Sequence, residues 1–173
     1  MKKVMYLCLM VAVMPFMSCS SDDSETNTKK NFLKIGDTEY ELAMGFSEDY
    51  SDNPNNETYN IDLSFLTSGL SVNGDDYTGD GYSIYFEMFS STPNKLAEGK
   101  YEYNLTETSF SFDYGILYNN SNQEELEITS GTIVIVKSEN DYYELTFDCV
   151  DEMDRIITGR YYGKVNYTLI LEP

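Results

Sequence analysis

Residues 59–65 read YNIDLSF, and they decide the fold class of this chain. Tyr59, Ile61, Leu63 and Phe65 alternate with polar residues throughout the stretch. Because successive side chains of a β-strand point to opposite faces, this alternation places one face on a core and the other in water. The stretch therefore predicts a half-buried antiparallel strand.

The same alternation recurs outward from this stretch, at residues 82–88, 110–114 and 143–149. β-branched and aromatic residues dominate the segments between turn signals, as is typical of strands. One short segment is predicted to be helical. Thr92 and Pro93 resemble a helix start and Gly99 a stop, which predicts one helical turn at residues 93–98.

About nine strands at roughly regular spacing predict an all-β fold. We expect a single antiparallel β-sandwich or flattened barrel of about 8–10 strands. The alternative is a closed barrel of the lipocalin or calycin kind. The pattern does not choose between the two, since both architectures alternate in the same way.

The first 19 residues have the composition of an export leader. Two lysines precede an apolar run at residues 4–14, and FMSC at residues 16–19 ends the run in a cysteine. A positive start, a short apolar run and a small-residue cleavage site are the features of a signal peptide. An apolar run of this length is too short to span a bilayer.

The leader resembles the lipobox of bacterial lipoproteins, with Cys19 as the lipidated residue. SSDDSE, residues 20–25, is similar to the acidic export signal that Bacteroidota place after that cysteine. The resemblance implies a lipoprotein of Bacteroidota type, anchored in the outer membrane by its lipid and facing the cell surface. KLAEGKY at residues 95–101 and TGRYYG at 158–163 further resemble the small all-β lipoproteins of that group. Together these resemblances divide the chain into a signal peptide at 1–18, a flexible acidic tether at 19–30 and an all-β domain at 31–173.

The charge balance excludes several classes of partner. The chain has 11 basic and 30 acidic residues, and loss of Lys2 and Lys3 with the leader would leave 9 basic residues and a net charge of about −21. Such a surface repels nucleic acid and anionic head groups. We therefore expect no nucleic-acid partner, and membrane contact only through the lipid anchor.

The absence of histidine restricts catalysis. It removes Ser-His-Asp and Cys-His mechanisms and the usual zinc ligands. Cys149 alternates in phase with apolar residues and is expected to be a buried small hydrophobe. What remains is a pair of carboxylates, for which Asp62 and Glu87 are named because they lie mid-strand, although we expect both to face solvent. We expect no enzyme.

Tyrosine is the other unusual component, with 16 residues and no tryptophan. A tyrosine offers an apolar face and a hydroxyl, which suits sugar stacking and protein contact. Tyr85, Tyr142 and Tyr162 are predicted to point away from the core. They are our candidates for a glycan or protein site, provided that they cluster on one face.

No cofactor is expected, with Ca²⁺ as the one candidate. Asp75, Asp76 and Asp80 lie in a glycine-bearing segment and could supply the oxygen ligands that Ca²⁺ takes. The spacing differs from that of an EF-hand, and the alternative is an acidic hairpin loop.

The function that we expect is a non-catalytic binding or accessory module for glycan or protein ligands. One alternative is a barrel that carries a small apolar ligand, which requires an interior lined by small residues. The other is a carboxylate hydrolase, which requires two converging acids, at least one with a raised pKa.

Overall fold

The computed structural model describes residues 30–50, 58–74 and 76–169. Within these residues the chain forms twelve strands and no helix, which confirms the all-β prediction. The strands are β1 (Phe32–Ile35), β2 (Thr38–Asp49), β3 (Tyr59–Thr67), β4 (Leu70–Asn73), β5 (Asp76–Gly79), β6 (Tyr82–Ser90), β7 (Gly99–Tyr103), β8 (Ser111–Asn119), β9 (Glu124–Glu139), β10 (Tyr142–Asp151), β11 (Ile156–Lys164) and β12 (Asn166–Leu169).

Nine of these strands close into a barrel in the order β1-β11-β10-β9-β7-β8-β6-β3-β2. Closure depends on β1, which pairs antiparallel with β11 on one side and with β2 on the other. The closed barrel, which the sequence left as the alternative to a sandwich, is thus the arrangement found. Closing the sheet pairs the backbone edges that an open sheet would expose. β12 extends the sheet alongside β2 in parallel, and β4 and β5 form a separate hairpin.

Large apolar side chains fill the interior of the barrel. Ile61, Leu63 and Phe65 are fully buried, as the alternation in residues 59–65 predicts. Phe86 lies at the centre, with its ring centroid 5.7 Å from that of Phe112 and 5.4 Å from that of Phe147. The interior is therefore a packed core of aromatic and aliphatic groups.

Cys149 is part of this core and is a free cysteine, as expected. Burial is the largest of the effects that raise the pKa of its thiol to about 12. Since only the thiolate is a good nucleophile, burial and the raised pKa both lower the reactivity of this thiol at neutral pH.

The helical turn predicted at residues 93–98 is wrong. Asn94 has a φ of 64°, which a right-handed helix does not allow. The segment is instead held by Ser90, whose hydroxyl donates to the Lys95 carbonyl at 2.8 Å and accepts from the amide of Ala97 at 3.0 Å. A side chain thus provides the hydrogen bonds that helical backbone would have made.

The described strands lie within the predicted domain at 31–173. The predicted signal peptide, Cys19 and residues 19–29 of the predicted tether lie outside the described residues. In the part of the chain that the structure describes, no helix has the length and apolar character to cross a membrane.

Candidate functional site

One mouth of the barrel carries a cleft of about 440 Å³. Two tyrosines line it, Tyr40 at the start of β2 and Tyr82 at the start of β6, with ring centroids 4.7 Å apart and planes inclined by 52°. Its other lining residues are polar or glycine, namely Glu41, Thr67, Ser68, Gly69, Asp80, Gly81, Asn119 and Ser121. We call this the tyrosine cleft. Barrel mouths are common positions for ligand sites, and the volume is within their usual range.

Hydrogen bonds hold Tyr82 in place in the tyrosine cleft. Its backbone amide donates to Thr67 Oγ1 at 2.9 Å, and Asn119 Nδ2 donates to its hydroxyl at 3.2 Å. Burial, followed by a hydrogen bond with Tyr40, raises the pKa of the Tyr82 hydroxyl. Tyr82 thus offers an oriented hydroxyl group beside the apolar face of its ring.

Glycine lets the two turns that border the tyrosine cleft approach each other. A Cβ at Gly69 would collide with the backbone carbonyl oxygen of Asp80. The close approach of Gly69 to the Asp80 carbonyl places the β3–β4 turn against the β5–β6 turn. Asp80 is exposed at the rim of the cleft. A larger residue at position 69 would force the turns apart and widen the cleft.

A second feature lies on the outer face of the barrel, where four strands each contribute a carboxylate. Glu48 on β2 lies opposite Asp62 on β3, and Asp62 lies opposite Glu87 on β6. Glu87 lies opposite Tyr114, whose neighbour Asp113 stands at a β-bulge of β8. We call Glu48, Asp62, Glu87 and Asp113 the carboxylate row. Like charges directly opposite each other destabilise a sheet, so the row has an energetic cost.

Neutral donors hold three members of the carboxylate row. Tyr85 donates its hydroxyl to Asp62 Oδ2 at 2.5 Å, and Asn60 Nδ2 donates to Glu87 Oε1 at 2.8 Å. The Tyr50 hydroxyl is 3.0 Å from Glu48 Oε2. These bonds fix the carboxylates in position and leave their charge uncompensated.

Asp62 corrects the expectation that both mid-strand acids face solvent. It points outward, but only 7% of its surface is exposed, and Glu87 is half-buried. Burial is the main cause that raises the pKa of Asp62 to about 7, and the charges of Glu87, Glu48 and Asp113 add to it against the Tyr85 hydrogen bond. The pairing of β3 with β6 thus brings the two acids together, one with a raised pKa.

Two of the three predicted ligand-binding tyrosines lie together. Tyr142 and Tyr162 are on the outer face of β10 and β11, with ring centroids 5.0 Å apart at 85°. They line a cleft of about 470 Å³ with Lys137, Glu139 and Asn140. A hydrogen bond with Tyr162 is the largest of the effects that raise the pKa of Tyr142 to about 12. This outer tyrosine pair is the part of the predicted site that the structure brings together.

Tyr85, the third predicted tyrosine, lies elsewhere on the barrel. It is on β6, bonded to Asp62, and its ring is 6.2 Å from that of Tyr114. The three tyrosines therefore do not form a single cluster. Their role in ligand binding stays a prediction.

The acids predicted for Ca²⁺ are also separated. Asp76 begins β5, and Asp80 follows the other end of that strand, so the structure does not bring these two carboxylates together. Asp75 lies outside the described residues. Among the residues described, no group of three or more acids or cysteines has the geometry to hold a metal ion.

Sequence reasoning did not find the tyrosine cleft. Tyr40 and Tyr82 are 42 positions apart and begin different strands, and the alternation marks them as inward-facing residues. Both are only half-buried, because they lie close to the strand ends beside the turns. The short turns at residues 36–37 and 80–81 are the one signal that could have indicated a barrel mouth.

Comparison of the chain with protein families, with curated proteins and with solved structures gives no match. The candidate sites are therefore interpreted from their own geometry and chemistry.

Proposed function

We propose that this protein is a non-catalytic binding module that takes a neutral glycan in the tyrosine cleft. The observation that carries the proposal is the pair of tyrosine rings held 4.7 Å apart at the barrel mouth, with oriented polar groups around them. A sugar presents apolar C–H faces and a rim of hydroxyls. Tyr40 and Tyr82 complement the faces, while Asn119, Asp80 and Glu41 complement the hydroxyls.

The packing of the barrel supports a ligand at the mouth over one inside. Phe65, Phe86 and Phe112 are fully buried in the interior, where a carried apolar ligand would have to lie. Carriage requires an interior that its side chains leave open. The polar rim of the tyrosine cleft further favours a hydroxylated ligand over an apolar one.

The geometry of the acids supports binding over hydrolysis. Glycosidases place two carboxyl groups on either side of the bond that they cleave. Asp62 and Glu87 lie opposite each other on neighbouring strands of one outer face, but Asp62 is only 7% exposed, which leaves a glycan little access to its carboxyl group. The raised pKa of Asp62 therefore has a simpler explanation, namely burial beside three other acids.

A printed glycan array, followed by calorimetry with the strongest neutral binder, tests this proposal. We expect Tyr82→Ala to weaken binding by about tenfold, since loss of a stacking ring is equivalent to about 1.4 kcal/mol. Tyr82→Phe keeps the ring and should retain most of the affinity. Thermal unfolding of each variant checks that the fold is intact.

Tyr142→Ala is the matched control, because it removes a tyrosine of a second surface pair away from the barrel mouth. It should leave the affinity within a factor of about two. Equal losses in Tyr82→Ala and Tyr142→Ala would contradict a site in the tyrosine cleft, as would a protein that binds no glycan on the array.

We further propose that the module is a lipoprotein, anchored by acylated Cys19 in the outer membrane and facing outwards. The leader at 1–18 and SSDDSE at 20–25 support this location. Cys19→Ala removes the thiol that takes the lipid, so the variant should leave the membrane fraction and appear as soluble protein. Thr28→Ser is a control that lies outside the leader and outside SSDDSE and retains the thiol. Membrane retention of Cys19→Ala would contradict the anchor.

A further inference from the structure

The β4–β5 hairpin lies against the outer face of the barrel, with a cleft of about 320 Å³ between the two. Val72 and Tyr77 line this cleft from the hairpin, and Phe46, Ser64 and Tyr85 line it from the barrel. We call this the hairpin cleft. Its volume is within the range of small-molecule sites, and it shares no lining residue with the tyrosine cleft.

Three aromatic side chains surround the hairpin cleft. Phe46 on β2 pairs with Ser64 on β3, and Ser64 pairs with Tyr85 on β6, so the three form one row across the sheet. The small Ser64 separates the two rings, whose strands are about 10 Å apart at a spacing of about 4.8 Å. A group between them is therefore within the distance of about 6 Å at which a ring attracts a cation.

The third ring, that of Tyr77, reaches the same row from the hairpin. Burial is the main cause that raises the pKa of Tyr77, against a hydrogen bond with Ser64. Burial also raises the pKa of Tyr85, so both tyrosines are neutral at pH 7. Phe46, Tyr77 and Tyr85 are each half-buried, which leaves part of each ring accessible.

The hairpin cleft is also negatively charged. Glu48 is exposed and lines it, and the Tyr50 hydroxyl donates to Glu48 Oε2 at 3.0 Å. Among the residues that the structure describes, no ion pair includes Glu48. Burial comes first among the causes that raise the pKa of Tyr50 to about 12, and the charges of Asp62 and Glu87 are among the others. A cation in the cleft thus meets one carboxylate directly and the field of two further acids.

We propose that the hairpin cleft binds a small molecule that carries a quaternary ammonium group. Such a cation has no N–H donors to satisfy, and its methyl groups pack on aromatic faces that attract its charge. A guanidinium or a metal ion needs several acceptors that converge, whereas Glu48 is the one carboxylate among the described lining side chains. Three rings and one acid therefore suit the quaternary ammonium group better.

A quaternary ammonium group can belong to a soluble compound or to a lipid headgroup. A headgroup adds a phosphate, which the acids around the cleft would repel, so we expect the soluble compound. Choline and glycerophosphocholine are the probes that separate the two sources. Tighter binding of choline would assign a soluble ligand, and tighter binding of glycerophosphocholine would assign a headgroup; either result supports an ammonium site.

Titration of the full chain with choline chloride at low salt and pH 7, followed by nuclear magnetic resonance, tests the proposal. We expect saturable shifts in the amide resonances of Phe46, Ser64 and Tyr77. Dimethylbutanol, in which a carbon atom replaces the choline nitrogen, should bind at least tenfold more weakly because it has no charge. Phe46→Leu and Tyr77→Leu should each weaken choline binding about tenfold, equivalent to 1.4 kcal/mol.

Two matched controls separate the rings and the charge from general effects. Tyr77→Phe keeps the ring and should retain the affinity within about twofold. Glu48→Gln should weaken binding several-fold, whereas Asp148→Asn removes an exposed acid of β10 and should have less than a twofold effect.

Four results would overturn the proposal. Choline might give no saturable shift, or dimethylbutanol might bind as tightly as choline, which would indicate an apolar pocket only. Ammonium chloride that binds as tightly as choline, or an equal loss in Asp148→Asn and Glu48→Gln, would indicate diffuse attraction to an acidic surface. None of these results depends on glycan binding in the tyrosine cleft, so the two proposals can fail independently.

Discussion

Phe86→Ala is expected to destabilise the protein by about 3–5 kcal/mol. The Phe86 ring is fully buried and contacts the rings of Phe112 and Phe147. It also packs over Gly115 on the next strand, where an added Cβ would lie 3.2 Å from it. Alanine would leave a cavity lined by the Phe112 and Phe147 rings, and the closed sheet cannot easily collapse into it. Urea unfolding should show a lower midpoint with an unchanged slope.

Two variants make this result specific to the barrel centre. Phe86→Leu restores most of the volume and should cost less than about 1.5 kcal/mol. Val136→Ala truncates an aliphatic side chain that is 53% exposed, and the change should be within about 0.5 kcal/mol. A loss of under 1 kcal/mol in Phe86→Ala would contradict the packed interior and reopen internal carriage of a ligand.

Asp62→Asn is expected to stabilise the protein above neutral pH. The folded-state pKa of Asp62 is raised from 3.8 to about 7, mainly by burial. The unfolded chain therefore releases this proton at lower pH than the folded protein does, and stability falls as pH rises from about 4 to 7. At 1.36 kcal/mol for each unit, this loss amounts to at most about 4 kcal/mol. Asparagine stays neutral and can still accept from Tyr85.

The measurement is the free energy of unfolding in urea from about pH 4 to pH 8 for both proteins. The curves should lie close together at the acid end and separate towards pH 8, with the variant the more stable. Asp148→Asn, at an exposed position, should differ from the wild type by no more than about 0.5 kcal/mol. A constant difference between Asp62→Asn and the wild type at every pH would contradict a raised pKa.

Alternation in the sequence predicted where strands lie and which side chains face inward. Residues 59–65 and 143–149 behave as predicted, because one buried face is enough to produce the pattern. Closure could not be predicted in this way. It depends on the four residues of β1, whose partners on β11 are more than 120 positions later in the chain. Pairing over that distance leaves no mark on local periodicity.

The candidate sites depend on which strands pair and in which register, even more than the closure of the barrel does. Asp62 and Glu87 could be named as mid-strand acids, yet the register that sets them opposite each other became clear only from the structure. The expectation that Asp62 faces solvent was wrong, because alternation predicts on which face of the sheet a side chain lies. It does not predict whether neighbouring side chains bury it there. Its cover comes from cross-strand neighbours, Tyr85 among them.

The position of β1 has a consequence for how the protein forms. Phe32 at its start pairs with Arg160 of β11. The first strand of the described chain can therefore complete its pairing only after one of the last strands has formed. During synthesis, residues 38–155 emerge while β1 can pair only with β2. Closure is thus a late, long-range step, of the kind that slows folding. Until it occurs, the growing sheet presents one unpaired edge at β1 and another at its newest strand.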